Sequence, residues 1–167
     1  RNPGKVGTGS TVSLSSFIGQ ELARRAGVEM ADVQYRSGGQ LMNDIVAGHL
    51  PVGWTSTASA MPHMQTGRVR VLAVSTATRT PFFPDVPTAQ EQGVADFDLS
   101  GWVGLYGPAG LPEAVMARLQ EALGRAFADP TLQQRFTAMG IEPDLRPAAG
   151  LMQAAQREDR LWAAAAA

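Results

Sequence analysis

The sequence predicts an α/β fold built on a parallel sheet, followed by a mainly helical tail. Three observations predict it. Short apolar runs alternate with helix-like patterns as far as Thr76. The connections between them are a few residues long, as right-handed crossovers between parallel strands require. The runs also end in loops of one composition: Gly9-Ser10-Thr11, Ser37-Gly38-Gly39, Thr55-Ser56-Thr57 and Ser75-Thr76.

Each element has a local reason. Lys5 to Thr8 is a short strand candidate. Ser13 to Ala26 reads as helix, with Leu14, Phe17, Ile18 and Leu22 on one face and Gly27 as its stop. Ala31 to Tyr35 is the next strand candidate. Gln40 to Ala47 then reads as helix, apolar at Leu41, Met42, Ile45 and Val46, and Gly48 ends it. Leu50, Val52 and Trp54 alternate like a half-buried strand. A short helix over Ala58 to Gln65 stops before Gly67, and Val69, Val71, Ala73 and Ser75 predict a fourth strand.

The alternation ends after Thr76. Pro81, Pro84 and Pro87 force an extended loop. Thr88 is placed to cap a short helix over Ala89 to Gln92, stopped by Gly93. Phe97 to Leu105 reads as extended. Pro112 suits the first position of a helix from Glu113 to Ala128. Asp129-Pro130 opens a second helix to Met139, and a third starts at Pro147. Three helices with few strands do not complete a domain, so a boundary falls near Leu99 to Trp102. Residues 1–100 form one part and 101–167 the other.

Composition narrows the function. The chain has 167 residues, 17% of them charged, and a net charge of −1. With no block of like charge, nothing points to nucleic acid or an anionic membrane surface. Cysteine is absent, which excludes disulfides, thiolate metal sites and Cys nucleophiles. That absence fits an oxidising compartment and is also common in the cytosol. No apolar run is long enough for direct membrane insertion. The opening Arg1-Asn2-Pro3-Gly4 reads as the interior of a longer chain, and Ala163 to Ala167 carries no pattern.

The loops carry the chemistry. Small hydroxyl residues and glycines between a strand and a helix expose backbone N–H groups, which suit a small anion such as a carboxylate. In parallel sheets such loops lie at the ligand-binding, carboxyl ends of the strands. Gly9, Ser10, Thr11, Ser37, Gly38, Gly39, Thr55 and Ser56 are therefore the candidate ligand-binding residues. Ser10 and Thr11 fit a helix cap as well as a carboxylate donor. At Ser37-Gly38-Gly39, paired glycines permit close backbone approach, against the plainer reading of a tight turn. Arg36 fits a solvated edge better than a clamp, and Trp54 fits the core better than a ligand stack. His49 and His63 stand alone, without the neighbours that metal or base chemistry needs. No loop pairs a nucleophile with a base, so no catalytic residue, metal or cofactor is expected.

Several motifs resemble one family. Tyr35-Arg36-Ser37-Gly38-Gly39, the passage Asp44 to Val52, and Pro62 to Val74 are similar to segments of tripartite tricarboxylate transporter receptors, the Bug or TctC family. Asn2-Pro3-Gly4-Lys5 resembles the start of that family's second lobe. The most specific motifs are Arg79, Pro84-Asp85-Val86-Pro87-Thr88, Glu91-Gln92-Gly93 and Trp102 to Gly110. The resemblance runs from Asn2 to Trp162. It implies a two-lobed, type II-like periplasmic-binding-protein fold that closes around a small carboxylate without chemistry. It also implies delivery to membrane transporter subunits. The Pro- and Gly-rich ligand loop of the family's first lobe is not in this sequence. Residues 1–100 thus correspond to the second lobe, and 101–167 to a segment that returns to the first.

Two departures fall in the presumed site. Thr11-Val12-Ser13-Leu14 is one residue shorter than the family's first loop, with Phe17 near the family's His. Thr55 stands where the family often has an acid. Two other readings use the same loops: a doubly wound enzyme domain for a phosphorylated or carboxylated substrate, and a receptor relative used in sensing. The enzyme reading lacks a phosphate-binding fingerprint of either common type. A lobe without its partner is expected to expose apolar helix faces around Leu119, Leu123, Phe127, Phe136 and Leu151, and so to self-associate.

Overall fold

A computed structural model describes residues 6–166 of the chain. Asn2 to Lys5, used in the motif comparison, lie outside the described residues. The chain divides into two compact units, one up to Gly101 and one from Trp102.

The first unit is a three-stranded parallel sheet in the order β2-β1-β3, with helices in the crossovers. β1 is Gly7–Ser10, β2 Ala31–Gln34 and β3 Val52–Gly53. β1 pairs with β2 from Gly7 opposite Ala31 to Ser10 opposite Gln34, and with β3 at Thr8–Val52 and Gly9–Gly53. The helices are α1 (Ser13–Arg25), α2 (Gly38–Ala47) and α3 (Thr57–Gln65). The sheet and its helices match the predicted α/β lobe.

Boundaries differ where the loop composition misled. β1 begins at Gly7, so Gly9 and Ser10 belong to the strand and not to the loop after it. Helix α2 starts two residues earlier than the apolar pattern implied. Ser37 caps it, with Oγ accepting from the Gln40 N–H at 3.3 Å, and Gly38 and Gly39 form its first turn. Gly48 ends it in the left-handed region at φ 79°, where glycine carries no Cβ penalty.

The predicted fourth strand and the short helix after it are not formed. Val71 and Val74 do pack, against Ala60, Phe83 and Val86. Their segment makes a single parallel bridge, Val74 to Thr88. Its bonds are Val74 N–H to Pro87 O and Ala89 N–H to Val74 O, both 3.0 Å. Pro87 brings no N–H group, so the ladder cannot run from Ala89 back past it. Ala89 to Gly93 is a turn that Thr88 caps: the Glu91 N–H reaches Thr88 Oγ1 at 3.1 Å, and the Thr88 N–H reaches Glu91 Oε2 at 2.7 Å. Arg79 clamps the same Glu91 at 3.0 Å and donates to Pro84 O at 3.1 Å.

The second unit holds α4 (Glu113–Phe127), α5 (Pro130–Ala138) and α6 (Ala148–Ala166). Pro112 is the N-cap of α4, one position before the predicted place. Asp129 caps α5, accepting from the Thr131 and Leu132 N–H groups at 2.7 and 3.3 Å. Phe127 and Phe136 pack with ring centres 5.5 Å apart. Yet neither α4 nor α5 contains a buried residue. Val103 is fully exposed, and Leu105 and Tyr106 beside it are also exposed. No helix among the described residues is long and apolar enough to cross a membrane.

Candidate functional site

The chain leaves β1, β2 and β3 at one end of the sheet and turns into α1, α2 and α3 there, because all three strands are parallel. All eight candidate residues sit at this end. The loops hang on the central strand. Tyr35 N–H donates to Ser10 O at 2.8 Å, and Trp54 N–H to Gly9 O at 2.7 Å. The second and third loops also touch. A Cβ on Gly38 would stand 2.2 Å from Ser59 Oγ and 3.0 Å from Thr55 Oγ1.

These two loops have matching ends. Ser37 caps α2, and Ser56 caps α3 by accepting from the Ser59 N–H at 3.4 Å. The Gly38, Gly39, Thr57 and Ala58 N–H groups precede the helical ladders, and no acceptor among the described residues takes them. Such groups carry the positive end of the helix dipole. The paired glycines divide their roles. Gly38 lies flat against α3, so its missing side chain makes room for Ser59 and Thr55. Gly39 is exposed, and a Cβ there would meet only Ser37 Oγ, at 3.9 Å. Close backbone approach from outside is thus open at Gly39 alone. Arg36, in the second loop, is exposed.

The first loop is built differently. Gly9 is buried, and a Cβ on it would lie 2.5 Å from Leu50 Cδ2 and 3.1 Å from Leu41 and Tyr35. Its bareness lets α2 pack on the sheet, so Gly9 belongs to the floor of the loop. Ser10 is also buried. Its hydroxyl donates to Asp32 Oδ1 at 2.8 Å and accepts from Gln34 Nε2 at 2.7 Å. Ser16 donates to Asp32 Oδ2 at 2.5 Å, and Gln34 donates to the same oxygen. Burial pushes the Asp32 carboxyl up, but the hydrogen bonds from Ser16, Ser10 and Gln34 outweigh it and hold the group below its ordinary range.

The backbone donors of this loop are also taken. Val12 at the N-cap of α1 has no side-chain acceptor, and Ser15 substitutes from inside the helix. Ser15 Oγ accepts from the Thr11 and Val12 N–H groups at 3.0 and 3.1 Å and donates to Val12 O at 2.9 Å. Thr11 is half-buried.

Asp32, Gln34, Ser15 and Ser16 escaped the sequence reading. One signal was available: in a strand over Ala31 to Tyr35, Asp32 and Gln34 fall on one face, two residues apart. The other candidates fare plainly. Trp54 lies against Gly19 and, at 6.3 Å between ring centres, beside Phe97, in keeping with a core role. Ser75 donates to Leu99 O and Thr76 to Thr78 O, so these hydroxyls serve their own loop. Among the described residues, no group of three or more His, Cys, Asp or Glu could hold a metal ion.

Comparison with known proteins gives consistent results. The profile of the "Tripartite tricarboxylate transporter family receptor" group matches residues 1–165. A UPF0065 protein from the ttuE-ttuC' intergenic region of Agrobacterium vitis is 33% identical over 137 residues, covering 82% of this chain and 40% of its own length. The structure of MatC from Rhodopseudomonas palustris, with bound malate, superposes with a TM-score of 0.75 at 28% identity, over 95% of this chain and 56% of MatC. A second R. palustris protein, with adipate, shares the fold at a TM-score of 0.80 and 21% identity, over 96% of this chain and 55% of its own. The chain spans about half the length, or less, of these three proteins.

Proposed function

The chain belongs to the tripartite tricarboxylate transporter receptor family, and from that premise we propose that it forms the second, ligand-binding lobe of a periplasmic receptor for a small carboxylate. Family members are solute-binding receptors, and the fold here is a lobe of the periplasmic-binding-protein type. The ligand is captured without turnover and handed to membrane transporter subunits. Residues from Trp102 on return to the first lobe of the same receptor.

One observation carries this reading. Two helix ends lie side by side at the carboxyl end of the sheet, and their four leading N–H groups have no acceptor among the described residues. A carboxylate set there meets N–H donors from both α2 and α3, with the Ser37 and Ser56 hydroxyls at the rim. Hydrogen bonds to a charged group contribute about 1.5–3 kcal/mol each when water is excluded. On an open lobe they are strongly screened, so closure of a second lobe supplies most of the affinity.

Calorimetry tests this. The two-lobed receptor should bind a small carboxylate with micromolar or better affinity, and residues 1–100 alone only at about millimolar. Tight binding by the lone lobe would undo the clamp. Turnover of the ligand would replace the receptor reading with the enzymatic one.

A further inference from the structure

Charge and hydrogen-bond supply are unequally divided among the three loops. The second carries Arg36, the one charged residue in the segments joining these strands to their helices, and with the third it presents N–H groups that no described acceptor takes. The first carries no charged residue between strand and helix, although the leading Ser13 and Leu14 N–H groups of α1, like those of α2 and α3, meet no described acceptor. Its Thr11 and Val12 N–H groups are taken up by Ser15. The Ser10 hydroxyl points to Asp32, and Ser16, in the first turn of α1, points to the same carboxylate from above. The proposed receptor function puts no use to this Asp32 network.

We infer that Asp32 makes the first loop the neutral or cation-accepting end of the site, so that this receptor selects small monocarboxylates over dicarboxylates. The inference rests on the carboxylate reading above and concerns only the far end of the ligand. A carboxylate at one end is drawn to the second and third loops. A second carboxylate at the first loop would face a like charge just under Ser10 and would find the Thr11 and Val12 donors occupied. An uncharged methyl end meets no such repulsion, and an ammonium end is attracted. Asp32 touches no ligand in this scheme. It acts through the field it sets and through the Ser10 hydroxyl that it holds.

The test uses three ligands of one length on the two-lobed receptor, read by calorimetry: hexanoate, 6-aminohexanoate and adipate. The wild type should bind the first two about tenfold more tightly than adipate, the scale expected of one nearby like charge in a partly wet site. Asp32→Asn removes the charge and keeps an acceptor, and should bring the three ligands within about threefold of one another. Ser15→Ala frees the Thr11 and Val12 N–H groups without altering charge. It should raise adipate affinity severalfold while hexanoate stays unchanged. A purely structural role for Asp32 would weaken all three ligands alike. Adipate binding as tightly as hexanoate in the wild type, or a ratio unmoved in both variants, would overturn the inference. If Asp32→Asn does not fold, the wild-type ratio and Ser15→Ala still decide. Failure of all three ligands to bind the wild type would instead remove the carboxylate reading itself, and this inference with it.

Discussion

At the scale of single residues, two neighbouring glycines separate packing from access. Gly38 faces Ser59, whose Cβ would lie 2.9 Å from an added methyl, while Gly39 faces open space. Gly38→Ala should therefore destabilise the protein by about 1–3 kcal/mol through overpacking. Gly39→Ala, at a helical position with no strain, should be neutral or stabilise by up to about 1 kcal/mol. Urea midpoints of the two variants check this, and equal midpoints would contradict the assignment. A second prediction concerns acid. Glu21 is lowered from 4.5 to about 2, chiefly by its hydrogen bond from Arg24, against burial and with help from Arg25. The group binds fewer protons folded than unfolded, so its contribution is present above about pH 4.5 and lost as the pH falls toward about 2. Glu21→Gln should be less stable than the wild type at pH 7, and the two should converge near pH 2 in denaturant titrations.

At the scale of elements, the Thr88 cap carries a third prediction. Its hydroxyl is buried and satisfies the Glu91 N–H. Thr88→Val keeps the shape and should cost about 1–2 kcal/mol, whereas Thr88→Ser should cost less than half of that. A Val variant as stable as the wild type in chemical denaturation would sink the claim. The helices were legible in the sequence where their ends are written in side chains: Gly48 stops α2, and Asp129 and Gly140 bracket α5, whereas Ser37 read as a loop residue and not as the cap of α2. The extended segments were less so. β1 is only four residues of glycine, threonine and serine, and its place is decided by what lies beside it. Gly9 reads as loop chemistry until Leu50 and Leu41 are seen to fill its side. The stretch from Val69 to Ser75 has a strand's alternation, but a ladder needs a partner with N–H groups, and the partner here is rich in proline. The candidate loops were legible as three connections at one end of a sheet. The difference between them was not, because it depends on Ser15 and Asp32, which look like surface residues until the register is known.

At the scale of the molecule, the second unit is a set of amphipathic helices whose faces are half covered. Leu119 is 41% exposed, and Leu123, Phe127, Phe136 and Leu151 are half-buried. Beside them the exposed segment around Val103, Leu105 and Tyr106 offers extended apolar chain. Made by itself, residues 1–167 should self-associate through this unit, with light scattering showing mass that rises with concentration. Leu105→Lys should shift the equilibrium toward monomer. A compact monomer over a wide concentration range would count against it.

The first unit leaves a different legacy. Its three loops are fastened to one another through main-chain atoms: the Gly9 and Ser10 carbonyls of β1 hold Trp54 and Tyr35. Of the side chains at the rim, those of Ser37 and Ser56 add helix caps, and Gly39 adds nothing. Gly39 can therefore be exchanged over generations, or by an engineer, and Ser37 and Ser56 for other capping residues, while the spacing of the loops is inherited unchanged. A lineage built on such a frame can change what its rim presents one substitution at a time, without first having to relearn how to fold.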